Sequence, residues 1–127
     1  MSSAKPGDTI KAATLGAVIA TIFATTAQAQ ETWVAVADDG GSNYGYAVGM
    51  ATREAAEITA AGECGGGCRI KLTAPARCVA YARSGPGDAA GYGAGATREA
   101  ARQVAWNDCN RRVPSNSCTV RAAQCFE

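Results

Sequence analysis

Six cysteines and no histidine bound the chemistry open to this 127-residue chain. The thiols are Cys64, Cys68, Cys78, Cys109, Cys118 and Cys125. Without an imidazole there is no Ser–His or Cys–His nucleophile pair. The C-x3-C and C-x8-C spacings are not those of a zinc knuckle, so no metal ligands are assigned. Nor is there a C-x-x-C pair at a helix start, the geometry that lowers a thiol pKa for redox work. An even number of thiols in a small exported chain reads instead as a set of disulfides.

The carboxylates offer little more. Asp38-Asp39 sits in a turn-rich stretch and reads as a solvated pair. Glu54 and Glu99 fall in the first turn of two helices, where the helix dipole favours anions. Gly91-Tyr-Gly-Ala-Gly-Ala96 fails the dinucleotide-loop spacing at its third glycine and reads as a closely packed strand of small residues. No catalytic residue and no cofactor site follow from the residues, and the chain is expected not to be an enzyme.

The elements that hold the cysteines occur twice. ATREAAEITAAGEC, Ala51 to Cys64, returns as ATREAARQVAWNDC, Ala96 to Cys109, with eight of 14 positions identical. Trp33-Val-Ala-Val-Ala37 returns as Cys78-Val-Ala-Tyr-Ala82 at the same offset. Two repeats follow, 30–77 and 78–127, each shorter than an independent domain. Each begins with a strand that alternates large and small residues, then a turn (Asp38 to Asn43; Ser84 to Asp88), then a glycine-rich second strand. Thr52 and Thr97 are expected N-caps. Ala56, Ala60 and Cys64 share one helical face, as do Ala101, Ala105 and Cys109. Arg69 to Ala74 alternates as a half-buried strand, and Thr119 to Ala122 reads as its shorter counterpart. The expected fold class is α+β: two strand–strand–helix–strand repeats forming one mostly antiparallel sheet with two helices, stapled by disulfides.

The first 29 residues read as a signal peptide, with Lys5 and Lys11 ahead of the apolar run Ala12 to Ala24 and cleavage expected after Ala29. That run is 13 residues long, short of the roughly 20 that a helical span requires. No stable membrane span is expected after cleavage, and the mature domain is expected to run 30–127. Its acidic and basic residues balance, which gives counterion release no basic patch to act on, so nucleic acid is not an expected partner. Secreted or periplasmic localisation follows.

Repeat symmetry narrows the disulfide plan. Cys64 matches Cys109 and Cys68 matches Cys118. One symmetric scheme is Cys64–Cys68, Cys109–Cys118 and Cys78–Cys125, with the third bridge tying the copies together. Its rival joins Cys64 to Cys118 and Cys68 to Cys109. Arg53 and Arg98 stand in first helical turns, where the dipole disfavours a cation, and are candidate partner contacts. Tyr44, Tyr46 and Tyr92 are further candidates, with core packing alongside Tyr81 the plainer account.

Taken together, Trp33–Ala37, Gly45–Gly49, Ala51–Cys64 and Cys68-Arg-Ile70 running to Cys78-Val-Ala80 resemble the bacterial exported domain of unknown function 4189 (DUF4189) family. The second copy supplies Ala96–Cys125. The resemblance spans the mature chain and implies a small exported α+β fold with disulfides. It brings no agreed catalytic residues. The loop Asn110–Ser117 departs from the family pattern. The function expected is that of a secreted or periplasmic, disulfide-stabilised, non-enzymatic interaction module, inhibitor-like roles included, with a protein or cell-envelope partner. The alternatives are a small carboxylate-dependent hydrolase and a purely structural envelope protein.

Overall fold

The computed structural model describes residues 31–85, 88–114 and 116–127. The expected signal peptide lies outside them. The chain runs β1 (Trp33–Asp38), β2 (Tyr44–Met50), α1 (Arg53–Cys64), β3 (Arg69–Pro75), then β4 (Cys78–Ser84), β5 (Ala89–Gly95), α2 (Arg98–Asn110) and β6 (Cys118–Cys125). The order β–β–α–β thus occurs twice. The last strand extends through Cys125 and is not the short element expected from Thr119 to Ala122.

The strands form two three-stranded antiparallel sheets, β2-β1-β3 and β5-β4-β6, rather than one. The reason lies in the alternation of β1 and β4. Small residues, Ala35 and Ala37 on β1 and Ala80 and Ala82 on β4, face a helix. Large ones, Val34, Val36, Val79 and Tyr81, form a separate buried cluster with residues of both sheets. One continuous sheet with helices on a single face would leave that second set in water. Packing the sheets face to face buries it, at roughly 1.5–3 kcal/mol per large side chain. The layers are therefore helix, sheet, sheet, helix.

The helix–sheet layers are built from alanine, glycine and cysteine. Ala56, Ala60 and Cys64 of α1 and Ala101, Ala105 and Cys109 of α2 are buried. Thr52 and Thr97 cap the two helices by accepting from the Ala55 and Ala100 amides at 3.0 and 3.1 Å. The backbones approach so closely that a Cβ on Gly45 would lie 2.4 Å from the Ala60 carbonyl oxygen. One on Gly91 would lie 2.2 Å from the Cys109 nitrogen. Small residues in β5 thus serve helix packing and not a phosphate loop.

Three disulfides are present: Cys64–Cys68, Cys109–Cys118 and Cys78–Cys125. Contrary to the expectation above, none joins the two halves. Cys78 opens β4 and stands directly opposite Cys125 on β6, so the third bridge lies within the second sheet. In the first sheet the corresponding pair is Trp33 opposite Pro75. The seam between the halves is noncovalent. The chain-entropy cost of opening each bridge sets an expected ranking. Replacing Cys78 and Cys125 by alanine, which opens a separation of 47 residues, should cost about 4 kcal/mol, and opening Cys64–Cys68 about 2 kcal/mol. Urea denaturation of the two double variants checks the order.

In the loop after α2, Val113 is buried against the helix cluster, and the Asn110 side-chain oxygen accepts from the Cys118 amide at 3.1 Å. The longer connection is in this way compatible with the Cys109–Cys118 bridge.

Candidate functional site

Where the β1–β2 and β4–β5 loops meet, the seam ends in charge. Asp38, the last residue of β1, is 2 % exposed. It is buried and not solvated, as its place in a turn-rich stretch had suggested, because strand alternation points it with Val34 and Val36 toward the opposite sheet. Its carboxylate accepts from the Tyr92 hydroxyl at 2.7 Å and from the Gly40 amide at 3.1 Å. Arg83 stands 3.9 Å away. That guanidinium donates to the Tyr81 hydroxyl, the Gly40 carbonyl and Asp88 at 3.2, 2.9 and 2.8 Å. Asp38 and Arg83 occupy the same position in the two repeats, offset by 45 residues like the rest of β1 and β4. One copy carries the anion and the other the cation.

Tyrosines line the same end. Tyr44 stacks on Tyr81 with ring centroids 4.3 Å apart, and Tyr81 meets Tyr92 at 5.9 Å. Burial, and then the bond to Asp38, push the Tyr92 phenol well above its ordinary value of 10.0. Asp39, by contrast, is exposed and holds the turn, accepting from the Gly41 and Asn43 amides at 2.7 and 3.3 Å.

Asp108 in the last turn of α2 forms a second polar knot. It accepts from the Tyr92 amide at 3.1 Å and from Arg112, and it pairs with Arg111. Burial opposes ionisation of this carboxyl, but the Tyr92 amide and the two guanidinium groups outweigh it and hold the carboxyl below its ordinary 3.8. The signs of the pH dependence follow. A lowered carboxyl stabilises the fold above its unfolded value, and that contribution is lost as pH falls through the native one. A raised phenol contributes fully below its unfolded value, and the contribution is lost as pH rises beyond it. Asp108→Asn should flatten the fall in the urea midpoint below about pH 4, and Tyr92→Phe the fall above about pH 10. Urea titrations across pH of the three proteins test both.

The strands that close each half carry matching irregularities. Along β3, Val36 pairs with Leu72 and Ala37 with Ile70, leaving Lys71 as the extra residue of a β-bulge. Along β6, Tyr81 pairs with Ala122 and Ala82 with Val120, leaving Arg121 in the same role. The bulges reset the alternation. Ile70 packs toward α1 while Leu72 and Ala74 enter the seam, so these three residues do not share one face as simple period-two alternation expects. Bulges re-aim side chains, and here each presents an exposed cation. Among the described residues, neither the Lys71 nor the Arg121 side chain makes an ion pair or a hydrogen bond.

Lys71 lines an open cleft of about 580 Å³ with Tyr92, Asp108, Arg111 and Arg112. The cleft continues past Lys71, Tyr92 and Arg112 to Asp38, Arg83 and Asp88. A separate cleft that shares Arg83 and Asp88 is lined by Tyr44, Tyr81 and Arg121. Three adjoining clefts, each sharing lining residues with the next, thus make up the groove across the loop end of the molecule, from α2 to β6.

Of the contacts expected from sequence, Tyr44 and Tyr92 border this groove, and Tyr46 packs in the inter-sheet cluster. Arg53 lies elsewhere, 5.3 Å over the Trp33 ring and 3.6 Å from Glu57. Arg98 is exposed at the start of α2, where the equivalent of Trp33 is Cys78. Lys71, Arg121, Arg83 and Asp108 were not singled out from sequence, and Asp38 was considered there only as a solvated turn residue. The signal for two of them was present: CRIKL and CTVRA, at 68–72 and 118–122, place a cation at the same position of both repeats.

A family model described as a domain of unknown function (DUF4189) matches residues 33–125, covering every strand, both helices and all six cysteines. No curated protein and no solved structure matches the chain.

Proposed function

The chain belongs to the DUF4189 family, and from that premise we propose that it is an exported, non-enzymatic protein-interaction module whose contact face is the groove across its loop end. The observation that carries this reading is the contrast between satisfied and unsatisfied charge in one groove. Asp38 already accepts from the Tyr92 hydroxyl and the Gly40 amide beside Arg83. Asp108 is held by a backbone amide and two guanidinium groups. Carboxylates so occupied are poor general bases. Among the described residues, the exposed side chains of Lys71 and Arg121 make no ion pair or hydrogen bond, which suits recognition of a charged surface. Three disulfides fit an oxidising compartment, and among the described residues no helix is long and apolar enough to cross a membrane.

The test is affinity capture by the oxidised protein from periplasm or culture fluid, followed by mass spectrometry. A specific partner recovered by the wild type and lost with Lys71→Glu is expected. Absence of any specific partner, or capture indifferent to that charge reversal, would overturn the proposal.

A further inference from the structure

We propose that the partner presents an extended acidic segment, which lies along the groove from the Arg111–Arg112 end of α2 to Arg121 on β6. The inference rests on the interaction-module reading and adds the chemistry of what is bound.

Three observations support it. The two bulges hold Lys71 and Arg121 at equivalent positions of the repeats, so a cation stands beside each half of the seam. Among the described residues neither side chain makes an ion pair or a hydrogen bond, and at the α2 end Arg111 and Arg112 share the single carboxylate of Asp108. Along the groove as a whole, Lys71, Arg83, Arg111, Arg112 and Arg121 face Asp38, Asp88 and Asp108. The surplus is positive although the chain as a whole carries a formal charge of only +1.

The shape favours a chain over a small ion. The three clefts are open and adjoin one another, each sharing lining residues with the next. Carboxylates of an extended segment would meet the Arg111–Arg112 pair, Lys71 and Arg121 in turn. Arg83 is committed to Asp38, Asp88 and Gly40 and serves as the rigid floor between them. The acidic Asp88, shared by the middle and β6-side clefts, limits how much negative charge the middle of the groove accepts and directs carboxylates to its two ends.

The test is titration of the ¹⁵N-labelled, oxidised protein with a soluble glutamate-rich peptide. A lysine-rich peptide and vesicles containing anionic lipid serve as comparison arms. Amide shifts at Lys71, Arg112 and Arg121 are expected with the acidic peptide alone, weakening as salt is raised. The double variant Lys71→Gln/Arg121→Gln should bind it about five- to tenfold more weakly, as expected for two exposed ion pairs. Arg102→Gln, on α2 beside Glu99 and outside the groove, should leave binding unchanged. Binding to the vesicles in place of the peptide, shifts elsewhere on the surface, or equal affinity of the double variant would each overturn the inference. If no acidic peptide binds while affinity capture still recovers a partner sensitive to Lys71→Glu, the module reading stands and the acidic chemistry fails. If capture fails as well, both fall.

Discussion

Gly91→Ala is expected to abolish the folded state or to lower its stability by about 3 kcal/mol or more, beyond the usual cost of overpacking because the obstacle is main chain. The added methyl would sit 2.2 Å from the Cys109 nitrogen and 2.3 Å from the Ala105 carbonyl oxygen. Neither atom can turn aside as a side chain can. Relief requires α2 to lift from its sheet, and α2 is tied at the very point of the clash by Cys109–Cys118. Lifting it would also break the alanine–cysteine layer that forms the core of this half. A domain of this size has a total stability of only about 5–15 kcal/mol. Gly45→Ala, whose methyl would meet α1 backbone at 2.4 and 2.5 Å, should behave the same way. Gly62 supplies the control. It is exposed within α1 with nothing within 4 Å of its missing Cβ, so Gly62→Ala should stabilise by about 0.5–1 kcal/mol through helix propensity. Urea denaturation separates these outcomes. A Gly91→Ala protein as stable as the wild type would show that helix and sheet are not in main-chain contact.

Asp38→Ala and Arg83→Met are each expected to cost about 3 kcal/mol: the second leaves the buried Asp38 carboxylate without its counter-charge, and the first leaves the largely buried Arg83 only the exposed Asp88 as a counter-charge. The Asp38 side chain is 1 % exposed and that of Arg83 10 %. Loss of the carboxylate also strands the Tyr92 hydroxyl, and loss of the guanidinium strands the Gly40 carbonyl. In a domain of this size such a cost lowers the melting temperature by roughly 10–20 °C. The double variant should cost clearly less than the sum, since removing both members leaves no isolated charge. A double-mutant cycle by urea denaturation measures the coupling. Strictly additive losses would mean that the two residues act independently and that the seam end is held by the tyrosines alone.

Much of this architecture was legible in the sequence because it is carried by local patterns. The doubled ATREAA phrase, the threonine caps and the i, i+4 spacing of Ala56, Ala60 and Cys64 each specify one helix and its buried face. The alternation of WVAVA and CVAYA specifies a strand, but alternation alone does not say what covers the second face. Whether six strands make one sheet or two depends on Val34, Val36, Val79 and Tyr81 finding each other across the seam, a long-range packing choice. The charged end of the seam was hidden for a related reason. Asp38 adjoins a glycine-rich turn, where carboxylates are normally solvated, and only the strand's orientation buries it. Lys71 and Arg121 looked like the polar beats of half-buried strands. A bulge adds one residue to one strand, and nothing in the residue types of CRIKL or CTVRA announces it.

Nonreducing peptide mapping tests most directly whether the molecule is two disulfide-closed halves joined, apart from the chain through Arg77, only by a noncovalent seam. The oxidised protein is cleaved at Arg77, between the halves, denatured without reductant and analysed by mass spectrometry. The account predicts that the two halves separate, one carrying Cys64–Cys68 and the other Cys78–Cys125 and Cys109–Cys118. Halves that stay joined until a reductant is added, through any bridge from Cys64 or Cys68 to the second half, would contradict it.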